Sequence, residues 1–143
     1  MYTILLIIGL FAAILFFLID KSILPGSVID RKHIAAKLEK NKKRNLQLQA
    51  EFESLIAAYG AWSHKAFPGS DVTYSEYIAL LKEKSSIEYA DTVFEKVNAK
   101  LERNQVCDYI EKIRNQEESV VALQADLAYQ KRNLQSLNIA SAS

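Results

Sequence analysis

At 143 residues the chain has room for one domain, and its formal net charge of +1 hides an uneven distribution. From Asp20 to Arg44 eight Lys/Arg stand against three Asp/Glu, whereas from Asn45 to Ser143 ten stand against fourteen. That acidic body argues against a nucleic-acid surface, and the single cysteine, Cys107, rules out an internal disulfide framework.

The run from Met1 to Ile19 carries no charge. As a helix it rises about 28 Å, close to the roughly 30 Å of bilayer hydrocarbon. Its Ile, Leu and Phe residues each favour mid-bilayer placement by about 0.3–0.6 kcal/mol. Apolar residues surround the helix with no polar face, which excludes an interfacial amphipathic helix. No Lys or Arg precedes the run and no A-x-A pattern follows it, so residues 1–20 read as an uncleaved single-pass transmembrane anchor rather than a signal peptide. Lys21, Arg31, Lys32 and Lys37 flank only its C-terminal side, and the positive-inside rule then places the body in the cytoplasm. Residues 21–30 form a juxtamembrane hinge around Pro25 and Gly26. Lys21, Arg31 and Lys32 are the candidate contacts to lipid headgroups.

A long helix is predicted from Val28 to Phe67. Steps of four and three give a heptad seam through Ile34, Leu38, Asn41, Asn45, Leu48, Phe52, Leu55, Tyr59, Trp62 and Ala66. Asn41 and Asn45 are candidate register-setting residues; the alternative is that this part of the seam faces solvent. Pro68 and Gly69 stop the helix, giving a turn over 68–73. The aromatic residues around it, Tyr59, Trp62, Phe67, Tyr74 and Tyr77, are either partner contacts or the cap of a small core.

Thr73 and Glu76 fit a capping box that opens a helix over about 74–84, and Ser85 with Glu88 offers a second, with a bend at 85–86. After Gly69 no Gly or Pro occurs for 74 residues, which favours helix almost to the end. Ile87, Ala90, Phe94, Val97 and Leu101 form one stripe. Val106, Tyr109, Ile113, Gln116, Val120, Leu123, Leu127, Gln130, Leu134 and Leu137 form another, out of phase with the first, so a second bend is expected over 101–106. Residues 139–143 read as a frayed tail. Unbroken, the segment from Tyr74 to Asn138 would run about 98 Å, against about 60 Å for the helix before it, so it must reverse. The expected fold class is all-α: an N-terminal transmembrane helix, then an antiparallel long-helix bundle or coiled coil over 31–138.

No catalytic constellation is present. His33 and His64 lie far apart, Ser63 and His64 point to different helix faces, and there is no metal-binding spacing or Gly-rich phosphate loop. The pentapeptide KRNLQ occurs at 43–47 and 131–135, with unmatched flanks and no sustained period. The sequence therefore predicts a non-enzymatic protein with no catalytic, cofactor-binding or metal site, no cofactor and no small-molecule substrate. Its expected partners are the lipid bilayer and other proteins or itself, engaged through coiled-coil seams. The expected role is a membrane-anchored scaffold or assembly protein; an accessory subunit of a larger membrane complex is the alternative. In layout alone, an anchor followed by a helical body, the chain also resembles the LemA-like proteins and the phage inner-membrane spanins. The spanin resemblance implies an outward-facing envelope protein.

Overall fold

Four helices make up the structure, a computed structural model that describes residues 28–99 and 101–141: α1 (Val28–Tyr59), α2 (Tyr74–Glu88), α3 (Asp91–Asn98) and α4 (Arg103–Ser141). The anchor predicted over 1–20, residues 21–27 of the hinge and the last two residues lie outside the described residues. Among the described residues no helix is long and apolar enough to cross a membrane.

The cross-contacts fix the directions of the helices. Asn41 meets Ile113 and Gln116, and farther along both helices Arg44 meets Gln124, so α1 and α4 run parallel. Tyr77 meets Asp126 and Lys84 meets Ser119, so α2 runs antiparallel to α4. The result is an up-down-up three-helix bundle in which α2 and α3 together form the descending arm. The antiparallel helical bundle is thus the architecture of the described residues.

The heptad seam of α1 is buried through Ile34, Leu38, Asn41, Asn45, Leu48 and Phe52, and the α4 stripe is buried or half-buried from Val106 to Leu134. Two apolar clusters result. One gathers Ile34, Leu38, Val97, Leu101, Val106 and Ile113 near the start of α1; the other surrounds Phe52, Ile56, Tyr74, Ile78, Leu123 and Leu134 at the far end.

Helix ends depart from the sequence expectation in several places, α4 among them, since it runs to Ser141 where the sequence predicts a frayed tail over 139–143. α1 stops at Tyr59, eight residues before Phe67, because Gly60 adopts φ 62° and closes a Schellman motif. Ala61 N–H donates to the Ile56 carbonyl at 3.1 Å and Gly60 N–H to Ala57 at 3.1 Å, with Ile56 and Ala61 both buried. Trp62 therefore leaves the seam. α2 runs on through Ser85, which is buried, and the break falls at Tyr89–Ala90 instead of 85–86. That break resets the helical phase: Tyr89 takes the core position, and Ile87, assigned to the buried stripe, is 68% exposed. The reversal lies between Asn98 and Arg103, just ahead of the slip expected at 101–106.

The start of α2 follows its local signal. Glu76 accepts from the Thr73 N–H (2.8 Å) and hydroxyl (2.9 Å), while Glu76 N–H donates to Thr73 Oγ1 (3.3 Å). Those bonds, the backbone one foremost, hold the Glu76 carboxyl below its usual range. A Cβ added at Gly60 meets nothing within 4 Å, so any cost of substitution there is conformational. Gly60→Ala is expected to lower stability by about 1–2 kcal/mol, the cost of a non-glycine residue at positive φ. A urea melt should show a lower midpoint with an unchanged slope.

Candidate functional site

Between the two apolar clusters lies a layer of buried amides and hydroxyls: Asn41, Asn45, Gln49, Ser85 and Gln116. Asn41 Nδ2 donates to the Ile113 carbonyl (3.4 Å) and to Gln116 Oε1 (3.5 Å), and Gln116 Nε2 donates to the Glu88 carbonyl (3.4 Å). One glutamine thereby joins α1, α4 and the end of α2. Gln49 Nε2 donates to Asn45 Oδ1 within α1. Asn41 and Asn45 thus belong to the bundle's own interior. Sliding α1 by one turn along α4 would set these amides against apolar side chains, at a desolvation cost of about 1–3 kcal/mol per unpaired group.

The aromatic residues proposed as partner contacts divide. Tyr74 is buried, and its hydroxyl donates to Gln130 Oε1, whose amide donates in turn to the Ala66 carbonyl. Tyr77 is half-buried, donates to Asp126 Oδ2 at 2.9 Å, and packs against Phe67 (ring centroids 5.0 Å, edge-on) and Phe52 (5.5 Å). Phe67 and Tyr59 are half-buried against the same cluster. Trp62 alone is exposed, at 38%. Four of the five therefore close the end of the core, and Trp62 is the one left accessible at the surface. The backbone beside it is pinned: Ser75 N–H donates to the Trp62 carbonyl (3.1 Å) and Tyr74 N–H to His64 (3.0 Å).

The basic collar divides as well. Lys21 lies outside the described residues. The Arg31 guanidinium donates to the carbonyls of Asn98 and Ala99 at the C-terminal end of α3, where the helix dipole favours a cation, so it is held within the fold. Lys32 is exposed.

Sequence reasoning missed an opening beside the polar layer. A cavity of about 420 Å³ lies between α1 and α2, lined by Lys42, Leu46, Gln49, Lys82, Ser85 and Tyr89 among others. Its lysines are partnered, Lys42 with Asp91 (3.6 Å) and Lys82 with Glu53 (2.8 Å), so it carries little net charge. The Tyr89 hydroxyl is buried with no hydrogen-bond partner among the described residues. Burial first, and the Glu88 carboxylate second, push its ionisation up to about 12. Burial likewise raises Tyr77, whose bond to Asp126 adds to the effect. No motif marked Tyr89, because its burial follows from a helix break that carries neither Gly nor Pro.

Compared with protein-family models, with curated proteins and with solved structures, the chain matches none.

The two buried tyrosines should respond oppositely to loss of the hydroxyl. Tyr74→Phe leaves the buried Gln130 Oε1 without its donor and is expected to cost about 1–3 kcal/mol. Tyr89→Phe removes an unpartnered buried hydroxyl and should leave the urea midpoint unchanged or raise it. A tyrosine kept neutral in the fold, but ionising near 10 in the unfolded chain, contributes full stability below pH 10 and loses it as pH climbs toward 12. Stability should therefore fall from pH 10 upward, and Tyr89→Phe should remove its share of that fall.

Proposed function

We propose that the chain is a non-enzymatic, single-pass membrane-anchored scaffold or assembly protein, held in the cell membrane by residues 1–20 with its helical body on the cytoplasmic side. One observation carries this reading: the uncharged run leads through a short hinge into the same helix, α1, that organises the bundle. α1 then spans about 48 Å, so the 60–73 loop and exposed Trp62 are presented far from the anchored end. Trp62 is the contact to a partner protein, while Tyr59 and Phe67 pack against the core cluster at the same end of the bundle.

The accessory-subunit reading has its own support. Leu80 and Ile87 on α2, and Ile110 and Val121 on α4, expose more than half of their side-chain surface, and those outward faces suit a larger complex. The outward-facing envelope reading differs in topology alone.

Cys107 is exposed near the start of α4 and reports topology without an engineered probe. The full chain is expected to resist alkaline extraction from membranes, while a chain starting at Val28 is released. In intact cells Cys107 should be protected from an impermeant maleimide until lysis; labelling before lysis would place the body outside. Trp62→Ala should abolish capture of the protein partner from solubilised membranes with helicity unchanged, and undiminished capture would remove Trp62 from that role.

A further inference from the structure

The collar carries seven Lys/Arg and a single acid, Glu39, from Arg31 to Arg44, and the fold uses these charges unequally. Arg31 caps α3, Lys37 pairs with Glu117 (3.6 Å), Lys42 pairs with Asp91 (3.6 Å), and Arg44 donates to Gln124 (3.3 Å). Lys32, Lys40 and Lys43 are exposed and enter no ion pair among the described residues. Spaced with Ala36 at intervals of four and three, they share the outward side of α1 with exposed Glu39, seven residues after Lys32 and four before Lys43, so that side carries three positive charges against one negative. Farther along that side come half-exposed Leu46 and then Ala50, both accessible. Glu76 and Glu83 on α2, and Glu111 and Glu118 on α4, are exposed on other faces of the bundle.

A body standing on its anchored end gains little from this pattern. Lys43 is then about 22 Å along the helix from Val28, well beyond a Debye length of about 8 Å. Laid along α1, the body brings all three ammonium groups to the phosphate level, with their stems and Leu46 in the interface. We propose that the outward face of α1 is a docking surface for an anionic lipid bilayer, on which the bundle lies flat. The inference rests on the anchored reading, because the anchor brings this face to the membrane at high effective concentration. A second copy is the poorer occupant. Two copies anchored in one membrane pair in parallel, and a two-fold contact through this face would set Lys32, Lys40 and Lys43 against their own counterparts.

The test uses the full chain with Cys107→Ser and Ala50→Cys, a fluorophore on the new thiol, and vesicles containing a headgroup spin-labelled quencher. Ala50 is about 33 Å from the start of α1, out of reach of the quencher in an upright body. In vesicles of phosphatidylcholine with phosphatidylglycerol the fluorophore should lose most of its emission. Pure phosphatidylcholine, salt near 1 M (Debye length about 3 Å), or Lys32→Gln with Lys40→Gln and Lys43→Gln should each restore it. A matching label at Glu83→Cys on α2 should stay bright. Flotation with the vesicles reports the anchor separately, so a chain that fails to float overturns the anchored reading and the docking with it. Flotation without phosphatidylglycerol-dependent quenching overturns the docking alone. Equal quenching in both lipids, or an emission change that tracks protein density in neutral vesicles, overturns it in favour of apolar contact or a second copy.

Discussion

The bundle depends on Gln116. Through its amide, which receives from Asn41 and donates to the Glu88 carbonyl, α1, α4 and the descending arm meet in polar contact at one level. Apolar packing alone tolerates small slides of one helix over another, since burial is roughly proportional to area and has no direction. A buried amide does not, because each unpaired group carries its full desolvation cost. The layer of Asn41, Asn45, Gln49, Ser85 and Gln116 separates two apolar clusters and holds them in one alignment. Gln130 repeats the device at the far end, tying Tyr74 to the Ala66 carbonyl in the loop.

That alignment governs which residues remain for function. Once the far end is closed by Tyr59, Phe67, Tyr74 and Tyr77, one aromatic side chain of the five is left accessible. Once Arg31, Lys37, Lys42 and Arg44 are drawn into contacts with α3 and α4, the remaining lysines among the described residues of the collar, Lys32, Lys40 and Lys43, lie on one side of α1 together with Glu39. Both candidate surfaces are what remains after internal packing has taken its share. The ion pairs that sort the collar are surface pairs worth about 0–1 kcal/mol each. Their importance is in setting where charge is left over, more than in stability.

The helix ends show how local signals compete. Pro68 and Gly69 are stronger stop signals in the sequence than a lone glycine, yet α1 stops at Gly60, where the Schellman hydrogen bonds and the buried Ile56–Ala61 pair agree. The α2–α3 break has no local signal of its own. Ser85 and Glu88 look like a cap, but Ser85 is buried within α2, and the helix continues until Tyr89 can turn into the core. Gln116 then supplies a donor to the Glu88 carbonyl beside the break.

The sequence by itself determined the all-helical character, the α1 seam up to Phe52, the α4 stripe and the Thr73–Glu76 start of α2. Each is written in spacing between near neighbours and needs no third helix to be read. The need for a reversal also followed from length alone. Only the tertiary structure decided that Asn41 and Asn45 are interior and that Tyr74 is core. The same holds for Ile87 lying outside and Arg31 serving α3. A side chain's burial depends on which helix arrives from elsewhere in the chain and at what height, and contacts between residues 67–75 positions apart, such as Arg31 to Asn98 and Asn41 to Gln116, leave no periodic trace in either partner.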